Sequence, residues 1–106
     1  MKKLEKIQYE NFVNEILPPP WEFSWAEWII NNGFEANGIC KFSEKKIKIV
    51  YKVKHHEDLV RTILHELAHI FVGQEHSYDK VFWHMYESLI QINWAFIHQV
   101  EKQVML

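Results

Sequence analysis

Two histidines and a glutamate within five consecutive residues are the strongest chemical feature of this sequence. His65-Glu66-Leu67-Ala68-His69 forms an HExxH motif. In a helix, residues i and i+4 lie on one face about one turn apart, so both imidazoles can reach a single Zn²⁺ ion at about 2.0–2.1 Å. Glu66 is rotated just far enough from that face to approach a water on the metal without binding the metal. The motif therefore predicts zinc ligation by His65 and His69, with Glu66 as the catalytic base.

A third protein ligand is expected, because a catalytic zinc ion commonly has three protein ligands and one open position. His76 is the first candidate, since it follows His69 by seven residues, after a glycine that can turn the chain back towards the metal. Glu87 is the alternative, 18 residues past His69. Glu75 and His84 are weaker candidates. The choice between His76 and Glu87 stays open at this point.

Stabilising an oxyanion beyond the metal requires a nearby hydrogen-bond donor. Tyr78, Tyr86 and His84 are the candidates that follow the motif in the sequence.

The motif lies in a segment with helical periodicity. Apolar residues recur at Leu59, Ile63, Leu67 and Ile70, which predicts a helix over residues 57–72. Gly73 is the expected stop signal.

Two further helices are predicted at the ends of the chain. Ser77 is the expected N-cap of a long last helix over residues 78–103, with an apolar stripe of Phe82, Met85, Leu89, Ile92, Phe96 and Val100. An amphipathic helix over residues 2–17 is expected to end at the prolines of residues 18–20.

Strands are predicted between the first helix and the motif. Turn signals at residues 31–33 and 37–38 precede two strands over residues 39–42 and 46–54. In the second strand Ile47, Ile49, Tyr51 and Val53 alternate with lysines, which is typical of a half-buried strand. As an edge strand it would pair with an extended peptide substrate through main-chain hydrogen bonds.

Composition bounds the class of protein. The chain has 106 residues and 12.9 kDa, which fits one domain over residues 1–106. It is 48% hydrophobic and 25% charged, which excludes a disordered tail and a collagen-like repeat. Cys40 is the only cysteine, so an internal disulfide and a four-cysteine zinc site are excluded.

Charge and hydropathy bear on the location of the protein and on its partners. The net charge of −2 gives no overall attraction to nucleic acid or anionic lipid, although seven basic and three acidic residues lie within residues 41–61. No apolar run approaches the length of a membrane span, and no signal-peptide pattern follows Met1. A cytoplasmic location without membrane contact is expected, and the oligomeric state is not predicted.

The residues around the motif resemble a known family. The segment DLVRTILHELAH, residues 58–69, strongly resembles the active-site helix of SprT-like zinc metalloproteases. Gly38-Ile39-Cys40 and residues 47–49 resemble the two strands that precede that helix in the family. His76-Ser77 followed by Phe82 resembles the family's third-ligand histidine and its trailing phenylalanine. WLM proteases, and minimal gluzincins with a glutamate as third ligand, are similar in layout.

The resemblance implies a fold and a site. It implies a small α+β, zincin-like domain with an N-terminal helix, a three-stranded antiparallel or mixed sheet, an HExxH active-site helix and a long C-terminal helix. It also implies that His65, His69 and His76 bind one Zn²⁺ ion and that Glu66 is catalytic.

The predicted function is zinc-dependent hydrolysis of peptide bonds in a protein or peptide substrate. One alternative is a zinc-binding interaction module without catalysis. The other is a DNA-associated protease that uses the basic segment 41–61.

Overall fold

The first helix supplies one wall of the core. The computed structural model describes residues 6–51 and 56–98, with residues 56–58 described by their backbone alone. Helix α1 (Lys6–Ile16) buries Tyr9, Phe12 and Val13, which agrees with the predicted amphipathic pattern, whereas Ile7 is 53% exposed. It ends before the prolines of residues 18–20, as predicted; residues 2–5 of the predicted helix lie outside the described residues.

Five strands follow within the described residues: β1 (Glu22–Ala26), β2 (Ile29–Asn31), β3 (Phe34–Ala36), β4 (Gly38–Lys41) and β5 (Lys46–Val50). Strands β1, β5 and β4 form a mixed sheet in that order, with β1 parallel and β4 antiparallel to β5. Strands β2 and β3 form a separate antiparallel hairpin. Its turn has positive φ at Asn32 (53°) and Gly33 (84°), which agrees with the turn predicted at residues 31–33.

The position of β5 corrects one prediction. Ile47 and Ile49 are fully buried while Lys46 is exposed, which agrees with the predicted alternation, but Val50, on the same face as the lysines, is also buried. However, β5 lies between β1 and β4, and both of its edges are paired. The prediction that this strand is a substrate-binding edge is therefore wrong. Its residues 52–54 lie outside the described part of the chain.

Helix α2 (His56–Val72) packs against the sheet and carries the HExxH motif. The predicted helix over residues 57–72 is confirmed to within one residue. Leu59, Ile63 and Leu67 are buried, as their spacing predicts. Gly73 has φ +90° and its N–H bonds the carbonyl of His69 at 3.0 Å, so glycine ends the helix in the left-handed region as expected.

Helix α3 (Lys80–Ile92) differs from the predicted long helix at both ends. Its N-cap is Asp79, whose Oδ1 accepts from the N–H of Phe82 at 3.0 Å, so the prediction of Ser77 as N-cap is wrong. Asn93 caps its C-terminus before the chain turns helical again over residues 94–98. Ile92 is 78% exposed beside this break, although the stripe predicted it to be buried.

The protein is thus an α+β domain with a mixed sheet, as predicted at that level. The three-stranded mixed sheet agrees with the expected count, and the β2–β3 hairpin is an addition. None of the helices in the described residues combines the length and apolar character that crossing a membrane requires.

Candidate metal and catalytic centre

Helix α2 brings the two motif histidines together as their spacing predicts. The ring centroids of His65 and His69 are 5.0 Å apart. Phe82, fully buried on α3, lies against both rings, stacking on His69 at 4.3 Å and meeting His65 edge-on at 5.0 Å. Because α3 packs along α2, this phenyl ring restricts the orientation of both imidazoles.

Both imidazoles are held in the neutral form that can bind a metal. Burial lowers the pKa of His65 below its ordinary value. Burial, and then repulsion by His65, lower the pKa of His69 to about 4. A neutral imidazole has a lone pair to offer to a cation, so both rings are ready ligands at neutral pH.

Glu66 lies on the sheet side of the same helical turn. Glu66 is 8% exposed, and it is the only charged residue that is buried in the described part of the chain. The thiol of Cys40 donates to its carbonyl oxygen at 3.1 Å and approaches its Oε1 at 3.4 Å. Burial raises the pKa of the Glu66 carboxyl to about 7, although the bond from Cys40 acts in the opposite direction.

The close approach of β4 to α2 depends on Gly38. A Cβ atom at this position would lie 2.9 Å from Cγ of Glu66 and 3.0 Å from Cδ1 of Ile49. A side chain here would therefore push the carboxylate away. Cys40, two residues further along β4, contacts the same glutamate. Burial, and then the charge of the Glu66 carboxylate, raise the pKa of the Cys40 thiol.

Gly38 belongs to the turn predicted at residues 37–38, but it begins β4, so that prediction is wrong for Gly38. The contacts of Gly38 and Cys40 with Glu66 are not predicted either. A glycine next to a predicted strand is the available signal, because glycine marks a close approach of the backbone.

Strand β4, not β5, is the edge beside the site. The carbonyl of Asn37 accepts from the N–H of Val50 at 2.8 Å, and the register then pairs Gly38 with Ile49. Hydrogen bonding alternates along an antiparallel pair, so Gly38 and Cys40 direct their main-chain N–H and C=O groups away from β5. No further strand of this sheet lies beyond β4 among the described residues.

Tyr78 also lies beside the histidine pair, with its ring centroid 5.3 Å from that of Phe82. Its hydroxyl is 3.2 Å from Nε2 of His65, and its ring centroid is 5.1 Å from that of His69. Its φ of 61° is in the left-handed region, which a tyrosine rarely adopts. Of the three predicted oxyanion donors, Tyr78 is the one in hydrogen-bond reach of a motif histidine.

The other two predicted donors lie farther away. The ring of Tyr86 is 5.9 Å from that of His65. His84 lies outside this site, beside a depression lined by α3 residues and Val72.

The candidate third ligands are not assembled around the pair. Nδ1 of His76 lies 2.8 Å from Oδ2 of Asp79, and Glu87 is exposed on α3. Bonds from the N–H of Phe82 and from His76 lower the pKa of Asp79. Among the side chains of residues 6–51 and 59–98, no three His, Cys, Asp or Glu groups converge on a position that could hold a metal ion.

The site opens into two adjoining cavities of about 440 and 410 Å³. Gly38, Glu66 and Tyr78 line both of them. The first, which we call the His65 cavity, also borders Arg61 and Thr62. The second, the His69 cavity, also borders Ile39, Cys40 and Phe42. The carboxylate thus lies at the centre of a cleft that continues in both directions.

No protein-family model, no curated protein and no solved structure matches this chain. Its function therefore has to be inferred from the chemistry of the site.

Proposed function

We propose that the protein is a zinc-dependent metallopeptidase, with His65 and His69 as metal ligands and Glu66 as general base. One observation carries the proposal: two imidazoles one helical turn apart, with a buried carboxylate between them in sequence, lie at the centre of an open cleft. A buried carboxylate costs folding free energy unless it is paired with a cation or a metal, and the group that bonds Oε1 of Glu66 is the neutral thiol of Cys40. A catalytic role would account for this burial.

The donor set suits zinc. Imidazole nitrogens are common zinc ligands, and Phe82 keeps the two rings in place without offering a competing donor. His76 fits the third position chemically, because its bond to Asp79 through Nδ1 leaves Nε2 available, and ligating histidines usually have such a carboxylate partner. Residues 73–78 would have to bring His76 to the pair. Both ends of that segment, Gly73 and Tyr78, have left-handed backbone conformations.

The reaction follows from what each side chain can do. When bound, zinc polarises the scissile carbonyl and lowers the pKa of water. Glu66 accepts a proton from the attacking water at its carboxylate and delivers it to the leaving amide nitrogen. The hydroxyl of Tyr78 donates to the oxyanion that develops on the substrate. Gly38 and Cys40 hold the peptide by main-chain hydrogen bonds along the edge of β4.

The test combines metal analysis with proteolysis. The purified chain is expected to bind about one zinc per molecule and to cleave labelled casein. Glu66→Gln should retain zinc and lose cleavage, whereas His69→Ala should lose both. His84→Ala, which changes an exposed histidine outside the site, is the matched control and should lose neither. Cleavage by Glu66→Gln at the wild-type rate would remove the general base from the mechanism.

Zinc retention without cleavage by the wild-type chain would support the alternative of a binding module. In that case a protein side chain should fill the fourth zinc position, which X-ray absorption spectroscopy of the zinc-loaded protein can determine.

A further inference from the structure

A third cavity, of about 550 Å³, adjoins the cleft at its far end. It shares Cys40, Phe42 and Gln74 with the His69 cavity, and we call it the Trp21 cavity. Because neighbouring cavities share walls, the three together form one groove along the edge of β4. The residues of α2 that border this groove are spaced at helical intervals: Arg61, Thr62, His65, Glu66, His69, Ile70 and, just past the helix, Gly73.

The Trp21 cavity has an aromatic wall. The rings of Trp21 and Phe42 meet perpendicularly, with centroids 5.3 Å apart. Ile70 contributes an aliphatic surface from α2, and Nζ of Lys45 lies over the indole at 5.4 Å from its centroid.

The wall is fixed in position by backbone hydrogen bonds. The N–H of Glu22 donates to the carbonyl of Lys45 at 3.0 Å, and the N–H of Trp21 donates to the carbonyl of Pro18 at 3.0 Å. The aromatic pair therefore forms a pre-formed surface that a side chain can enter with little ordering cost.

The distance from the catalytic carboxylate sets which substrate residue arrives there. Gly38 marks the catalytic point, because it contacts Glu66. Strand β4 ends at Lys41, three residues or about 10 Å from Gly38 at about 3.3 Å per extended residue, and Phe42 follows in the turn after the strand. A peptide paired with the edge of β4 would also extend by about 3.3 Å per residue. Its third or fourth residue from the scissile bond would therefore reach the Trp21 cavity.

We infer that the Trp21 cavity is a specificity subsite that takes an aromatic or large aliphatic side chain of the peptide substrate, three or four residues from the bond that is cleaved. This inference rests on the proposed peptidase function. Its occupant is the same extended chain that pairs with β4, because the groove is continuous with the catalytic cleft. Small side chains would leave the aromatic wall uncovered and bind less well.

The first experiment measures binding without any reaction. N-acetyl-tryptophan amide and N-acetyl-alanine amide are titrated into the ¹⁵N-labelled chain and followed by NMR. The tryptophan amide should shift the indole N–H of Trp21 and the amide of Phe42, with an affinity about tenfold or more above that of the alanine amide. Phe42→Ala, or Trp21→Ala if the first variant does not fold, should abolish the response at the remaining ring. Trp28→Ala, which removes an indole that is 70% exposed outside the groove, should leave it unchanged.

The second experiment maps cleavage. The zinc-loaded chain digests a peptide library derived from a whole proteome, and the cleavage sites are read by mass spectrometry. Aromatic and large aliphatic residues should be enriched at the third or fourth position on one side of the cleaved bond. Phe42→Ala should lose that enrichment and keep the preferences next to the bond.

The outcomes separate the two proposals. Cleavage without enrichment at that distance overturns the subsite and leaves the peptidase standing. Binding of the tryptophan amide at Trp21 with no cleavage of any peptide overturns the peptidase, and with it the role of the cavity as a specificity subsite. Absence of shifts at Trp21 and Phe42 overturns the inference whatever the activity.

Discussion

Replacing Glu66 by glutamine should stabilise the metal-free protein increasingly as the pH rises. The folded pKa of about 7 is higher than the ordinary value of 4.5. The folded protein therefore holds the proton in a range where the unfolded chain has released it. The stability that this protonated group contributes is complete below about pH 4.5 and is lost as the pH rises through about 7. Glutamine is neutral throughout and does not incur this loss.

The size of the effect follows from the same two values. Their difference corresponds to a loss of about 3 kcal/mol, at about 1.4 kcal/mol per pH unit, and most of it falls between pH 5 and pH 8. Relative to wild type, Glu66→Gln should gain about 2–3 kcal/mol in free energy of unfolding across that interval. The offset at pH 5 also contains the altered bond to Cys40, so the pH dependence is the informative quantity.

Urea unfolding of both chains in the presence of chelator, at intervals from pH 5 to pH 8, measures this difference. His65 and His69 titrate in both proteins, so their contributions cancel to first order. Glu35→Gln, which neutralises an exposed carboxylate on the β2–β3 hairpin, is the control for the loss of a surface charge. If the difference in free energy of unfolding between Glu66→Gln and wild type does not change with pH, the idea that α2 and β4 desolvate the Glu66 carboxyl is refuted.

Three further predictions concern the zinc-loaded protein. Gly38→Ala should lower casein cleavage about 100-fold with zinc content unchanged, because the added Cβ displaces the Glu66 carboxylate by up to about 1 Å. Tyr78→Phe should lower kcat roughly 100-fold with little change in KM or zinc content, because an oxyanion donor acts in the transition state. Zinc titration of His76→Ala and Glu87→Ala should show weakened affinity in only one of them, and His76 is the expected one.

Controls accompany these predictions. Ile49→Val in the Gly38→Ala background removes the Cδ1 atom that the new Cβ would also meet, and it should not restore cleavage. Restored cleavage would show that the effect comes from the sheet rather than from the carboxylate. Unchanged kcat in Tyr78→Phe would exclude the hydroxyl as a donor, and equal zinc affinity in the third pair of variants would exclude both residues as ligands.

The sequence predicts the local parts of this structure well. Helix α2 and its stop at Gly73 follow from apolar spacing and from one residue that adopts a positive φ without strain. The pairing of His65 with His69 follows from the geometry of one helical turn. Both depend only on interactions within a few residues, which a pattern along the chain records directly.

Long-range features were less predictable. The alternation along β5 indicates a half-buried strand, but it says nothing about which strands pair on either side. The parallel partner β1 comes from a segment 24 positions earlier, so that Glu22 pairs with Lys46. The choice of N-cap is a different case, because the bonds of Asp79 to Phe82 and His76 each span only three residues. Serine and aspartate are both favoured N-cap residues, so residue type alone does not choose between Ser77 and Asp79.

The burial of Glu66 against Gly38 affects both the stability of the fold and the chemistry of the site. A small domain has a net stability of about 5–15 kcal/mol, so a buried carboxylate that costs about 3 kcal/mol at pH 8 is a considerable burden. The negative charge of Glu66 does not improve the packing of the core, since a neutral side chain of the same shape would fill the same space. It does place a base of raised pKa at the centre of a groove, beside two neutral imidazoles. If glutamine at position 66 stabilises the fold and abolishes cleavage, the burial of this carboxylate is explained by catalysis. If glutamine stabilises the fold and zinc binding remains the only activity, the same geometry instead describes a binding module with an unused base.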